Sequence, residues 1–169
     1  MPVTIRRAVP GDLVFIMATE RGPGFERFLG QWDEGAHRAE MANEGSAYLI
    51  GERNGEANGF AMFQALDEPF GNVHLRRVAV REPGAGFGRP FVCAVVGFAF
   101  TLPNTHRLFL NVLAHNERAR HVYREAGFTE EGVQREAHLL PDGTRCAVAL
   151  MSILRPEWER RRASGVRGE

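Results

Sequence analysis

Between an apolar run at Val78-Ala79-Val80 and a long helical pattern stands Pro83-Gly84-Ala85-Gly86-Phe87-Gly88-Arg89-Pro90, and no other stretch restricts the fold as much. Three glycines at alternate positions leave backbone N–H groups uncovered, so an anion can approach them closely. The helix that follows adds its own unpaired N–H groups and the positive end of its dipole. A phosphate-bearing ligand fits such a loop, and so does a plain turn from strand to helix. A Walker loop does not: its last glycine precedes Lys and Ser or Thr, whereas Gly88 precedes Arg89-Pro90. A dinucleotide fingerprint spaces its glycines Gly-x-Gly-x-x-Gly, whereas here the spacing is Gly-x-Gly-x-Gly.

Strand and helix signals alternate around the loop. Residues 3–9 read as a strand, and Asp12 caps a helix through residue 19. Phe25, Phe28, Leu29 and Trp32 recur at helical spacing, and a helix over 33–43 carries Ala36, Ala39 and Met41 on its apolar side. Strands at 46–53 and 57–66 flank Asn54-Gly55, the strongest hairpin signal in the chain. A strand at 73–80 enters the loop. Pro90 suits the first turn of the next helix, where Phe91, Ala94, Val95, Phe98 and Leu102 form the apolar stripe. A strand at 107–113 completes a crossover whose length suggests parallel pairing. Asn116 caps a further helix with Ala119, Val122, Tyr123 and Ala126 facing inward, closed by Gly127. Strands at 132–140 and 145–154 form a last hairpin, and the polar tail from Arg160 is expected to fray. The pattern predicts an α/β domain with a seven-stranded mixed, mostly antiparallel sheet and about four helices. Residues 1–158 form the domain and 159–169 the tail.

Composition narrows the partners. Lys plus Arg number 21 and Asp plus Glu number 21, so no global field recruits nucleic acid or an acidic membrane. The two cysteines, Cys93 and Cys146, sit in apolar runs and read as core residues, with no metal site. The apolar run 92–100 is far short of the ~20 residues that span a bilayer, and the N-terminus lacks a signal-peptide pattern. The expectation is a cytoplasmic protein without nucleic-acid or membrane partners; a homodimer stays open.

The loop resembles the acyl-CoA loop of the GCN5-related N-acetyltransferases, Arg/Gln-x-x-Gly-x-Gly/Ala. Gly86 and Gly88 match it, and Pro83 stands where the family usually has Arg or Gln, with one backbone donor fewer. The run from Asn116 through Ala119 and Tyr123 to Gly127-Phe128 resembles the family's Asn-x-x-Ala-x-x-x-Tyr-x-x-x-Gly-Phe segment. Glu131-Gly132, Arg135, Leu150-Met151-Ser152 and Arg155-Pro156-Glu157-Trp158 look like the branch containing the RimJ/RimL-type acetyltransferases.

The resemblance implies direct transfer of acetyl from acetyl-CoA to a primary amine, in a ternary complex and without a metal. It implies a sheet splayed between the strands at 73–80 and 107–113. Gly84, Gly86, Phe87, Gly88 and Arg89 would hold the pyrophosphate, and Val78 and Val80 would pair with pantetheine as with an added strand. Asn116 and Ala119 would line its path, and Tyr123 would donate a proton to the departing thiolate. Asn116 and Tyr123, seven residues apart, share a helix face ~10 Å apart. Tyr123 is also a fitting core aromatic. His74 is a candidate base, standing where relatives often carry an acid; a solvent-facing sheet histidine is its alternative. Glu20, Asp33 and Glu68 are further candidates. The acceptor stays open among protein N-termini, polyamines, aminoglycosides and small metabolites. The rival reading is a non-catalytic acyl-CoA-binding module.

Overall fold

Asn54 and Gly55 take φ of +56° and +77° in the computed structural model, the left-handed pair a two-residue hairpin needs. The structure describes residues 2–23 and 31–165; Phe25, Phe28 and Leu29 lie outside the described residues. The hairpin joins β2 (Ala47–Arg53) to β3 (Glu56–Gln64). Before it come β1 (Val3–Arg7), a 3-10 turn (Pro10–Asp12), α1 (Leu13–Glu20) and α2 (Glu34–Met41). After it come β4 (Asn72–Val80), α3 (Gly88–Thr101), β5 (Arg107–Leu113), α4 (Glu117–Glu125), β6 (Thr129–Leu139), β7 (Arg145–Leu154) and α5 (Arg155–Ala163).

The seven strands form one sheet in the order β1-β2-β3-β4-β5-β7-β6. Every pairing is antiparallel except β4 with β5, which covers only Asn72–His74 against Arg107–Phe109. Beyond His74 the two strands part, so the sheet is splayed where the family resemblance implies. The rest of β4's edge on that side has no strand partner, and its polar groups are open to a ligand.

A bulge in β4 decides what faces the gap. Met62 pairs with Arg77 and Phe63 with Leu75, leaving Arg76 as the extra residue. Before the bulge Val73 and Leu75 bury into the core beneath α3. After it the parity reverses: Val78 and Val80 pack on that core, while Ala79 joins Leu13, Ile16, Tyr48, Ile50, Phe60 and Met62 beneath α1 and α2.

Several details differ from the sequence reading. The Asp12 carboxylate accepts from Arg6 and from the Val9 N–H and does not cap α1. The face α3 buries includes Val92, Val96, Ala99 and Phe100 with Phe91 and Val95, while Ala94 and Phe98 are half-buried. The helix is covered on two sides, by the sheet and by Trp158 of α5, so its apolar stripe is wider than one periodic row. The buried residue of α2 is His37, not the alanines, because a polar chain inside the protein receives its ring. The described residues hold five α-helices, and α5 continues to Ala163, where Arg161 donates to the Glu125 carbonyl at 2.9 Å.

Candidate acyl-CoA groove and acceptor cavity

The loop after β4 is shaped by two left-handed glycines, Gly84 at φ +88° and Gly86 at +75°. A Cβ at Gly84, Gly86 or Gly88 would meet nothing within 4 Å. Gly88 has no positive φ either, so nothing in the protein itself requires glycine there. The open space lies outside the chain, where a ligand approaches. Gly88 opens α3, whose first N–H groups have no partner inside the helix. Phe87 anchors the loop from below: it is 3% exposed and stacks on Phe91 at 5.2 Å. Arg89 stands beside Glu125 at 3.6 Å, both well exposed.

From the loop a groove of about 300 Å³ runs between β4 and α4, lined by Val78, Val80, Gly86, Asn116, Ala119 and Tyr123. Arg118, which the sequence reading passed over, lines it too. A second cavity of about 270 Å³ occupies the splay itself, with Trp32, Arg76, Arg77, Asn111 and His138 in its wall. Val78, Asn116, Ala119 and Tyr123 line both spaces. The groove and the cavity therefore meet along one face of α4, from Asn116 to Tyr123.

Asn116 caps α4, its Oδ1 accepting from the Ala119 N–H at 3.2 Å, which leaves its amide NH₂ outside the cap bond of a residue that lines the groove. Tyr123 packs edge-on against Phe128 at 5.7 Å. Burial pushes its phenol up to about 12, so it stays a proton donor throughout the neutral range. Its structural and chemical roles are thus compatible: the ring packs against Phe128 while the residue lines both spaces.

The structure does not bring the base candidates to this junction. His74 precedes the bulge and stacks on Phe109 at 4.6 Å and 5°. It lines neither space, and burial, with Arg76 adding, pushes its imidazole down to about 4. Asp33 caps α2 by accepting from the Ala36 N–H at 2.8 Å. Glu68 accepts from the backbone N–H groups of Asn72 and Phe70 at 2.8 and 3.0 Å, which holds its carboxyl below the usual range. Glu20 is fully buried, bonded to Arg77 and His37 at 2.9 Å each, and His37 meets the Tyr48 hydroxyl at 2.9 Å. This chain fixes the Arg77 guanidinium, which also lies 4.7 Å over the Trp32 ring. Sequence periodicity carries no signal for it, since its members come from α1, α2, β2 and β4. Among the described residues no cluster of three His, Cys, Asp or Glu could hold a metal, and no helix is long and apolar enough to cross a membrane.

A profile of the acetyltransferase (GNAT) family matches residues 17–128. The chain belongs to this family. The spermidine N(1)-acetyltransferase of Vibrio cholerae is 38% identical over 55 residues, a match that spans 32% of this chain and 32% of that relative's length. The solved spermidine N-acetyltransferase from Vibrio cholerae in complex with CoA and spermine superposes with a TM-score of 0.82 at 22% identity, over 93% of this chain and 98% of that one. The Vibrio cholerae enzyme in complex with manganese ions gives 0.79 at 21% identity, over 95% and 96%. At that identity the likeness carries the GNAT fold, with its splayed mixed sheet.

Proposed function

We propose that residues 1–158 act as one domain that transfers acetyl from acetyl-CoA to a primary amine in a ternary complex. The observation that carries this reading is the junction at Tyr123, where a groove leading from the Gly loop opens into a separate cavity. Two substrates, one in each space, would meet beside that phenol. Acetyl-CoA supplies an activated thioester; the chain's residues bind, orient and manage protons. The N–H groups at the start of α3 and the glycine loop receive the pyrophosphate. The open edge of β4 at Val78 and Val80 receives the pantetheine amides as an added strand, and the Asn116 NH₂ faces them across the groove. The neutral amine nitrogen bonds to the thioester carbonyl carbon, the C–S bond breaks, and the sulfur leaves as the CoA thiol with the proton of Tyr123. The amine's surplus proton passes to solvent, and the phenol is reprotonated. Desolvation that raises the Tyr123 pKa also raises the basicity of the thiolate beside it, so the proton transfer stays matched.

Gly86, Gly88, Asn116, Ala119 and Tyr123 support this reading, and the signatures at residues 131–158 support a place in the RimJ/RimL-like branch. The names of the relatives above supply spermidine and spermine as acceptors to test.

Tyr123→Phe keeps the ring against Phe128 and removes only the proton donor. Turnover should fall by roughly 10²–10⁴ with acetyl-CoA affinity little changed. Full turnover in the variant, with chemistry rate-limiting, would return Tyr123 to the core and favour acyl-CoA binding without catalysis by this residue.

A further inference from the structure

The described residues give the cavity in the splay the wrong charge for a polycation. Among the described residues its wall holds no carboxylate, but it holds two guanidiniums, Arg76 and Arg77. Adjacent strand residues ordinarily face opposite sides of a sheet; the bulge lets two consecutive arginines border one space. Glu20, the acid bonded to Arg77, is 0% exposed and spends its oxygens on Arg77 and His37, so an incoming ammonium cannot reach it. Arg77 is thereby neutralised and fixed. Arg76 is exposed and has no ion-pair or hydrogen-bond partner among the described residues, which leaves one uncompensated positive charge at the cavity. Its planar fork suits a carboxylate bidentately.

Resting on the acetyl-transfer reading above, we infer that Arg76 is a specificity residue for an amine that carries its own carboxylate, an amino acid, and that the cavity disfavours polyamines. At about 270 Å³ the space admits a small molecule of that class. The amine would sit at the Tyr123 junction with the carboxylate turned to Arg76, and Trp32 and Leu75 would contact the side chain. The same charge repels the several ammonium groups of spermidine.

The test uses the full chain with acetyl-CoA and a set of α-amino acids, their amides and spermidine, followed by thiol release. The amide's amine is the less basic of each pair, so chemical reactivity near neutral pH favours the amide, and a preference for the acid reports binding. At least one acid should exceed its amide in kcat/KM by roughly 10–10²-fold, the range of a charge-assisted hydrogen bond. Arg76→Ala should erase the difference through KM for the acid, and Arg76→Lys should restore part of it. Amides equal to their acids, or spermidine outrunning every acid, would overturn the inference while leaving acetyl transfer standing. Where no amine turns over, calorimetry on the CoA-loaded protein with N-acetyl amino acids and their amides decides instead. Binding of the acid form that is lost in Arg76→Ala supports the inference, and equal or absent binding of the acid overturns it. Failure of the transfer reading itself shows separately, as absence of stabilisation by acetyl-CoA or as stabilisation without thiol release with any amine.

Discussion

At the scale of the residue, His74 illustrates how a neighbour decides what a side chain can do. Stacked on Phe109 and half-buried, its imidazole is pushed down to about 4 by desolvation first and Arg76 second. It is neutral across the working range of an acetyltransferase and too weak a base to give an inflection near its ordinary ~6.5. The unfolded chain binds a proton there near ~6.5 and the native state only near about 4. Between those values the unfolded state holds more protons, so native stability falls as pH drops through the window. His74→Phe removes the titration and keeps an aromatic on Phe109. Denaturant midpoints at pH 7 and pH 5 should therefore differ less in the variant than in the parent. An equal loss in both would place the acid sensitivity elsewhere. In the same variant, acetyl transfer above pH 6 should keep the parent's pH profile.

At the scale of the element, the loop is only as ordered as the seat beneath it. Gly51 of β2 faces Gly59 of β3 across the ladder, and the rings of Phe87 and Phe91 lie over the pair. A Cβ at Gly51 would overlap the Phe91 ring; one at Gly59 would stand 2.9 Å from the Ala79 carbonyl and 3.0 Å from Phe87. Both glycines are therefore space for the helix that carries the loop. Gly59→Val should cost about 1–3 kcal/mol of stability by overpacking and weaken acetyl-CoA binding by displacing Phe87, as read by urea denaturation and calorimetry. A variant with parental stability would show that α3 shifts freely on the sheet. The C-terminal signature has a similar explanation. Arg155 donates to the carbonyls of Phe100, Leu102 and Thr105 at 2.8–3.0 Å, satisfying the end of α3, while Trp158 stacks on Phe100 at 5.1 Å. Residues that look like a family signature here hold the far end of the helix whose near end forms the loop.

At the scale of the whole molecule, β4 and β5 share only the rungs from Asn72–His74 to Arg107–Phe109, so the sheet's two parts are weakly joined beside the groove. A ligand that contacts both β4 and α4 bridges them. Acetyl-CoA at a hundredfold excess over its Kd should add about 2.7 kcal/mol. For a domain of this length that raises Tm by roughly 5–10 °C. Gly88→Val should fold with parental stability, because apart from its chain neighbours and its own helix backbone no protein atom lies within 4 Å of the new Cβ, and should lose the shift. A full shift in that variant would put the phosphate site elsewhere.

The extent to which all this was legible in the sequence follows from the range of the forces involved. The hairpin at Asn54-Gly55, the cap at Asn116, the glycine loop and the strand at 107–113 depend on local backbone preferences, which single residues state outright. The order and spacing of the glycine and Asn–Tyr segments carried the family, and with it the splay. What the tertiary structure alone decided is which side chains reach the gap. A one-residue bulge at Arg76 reverses the parity of β4, and no periodicity announces it. It leaves His74 against Phe109 and sends Arg77 to Glu20, a contact 57 residues away in the chain. The charge of the cavity in the splay is set by that pairing. Long-range contacts of this kind are fixed by how layers pack, and composition, with equal numbers of acids and bases, averages them away.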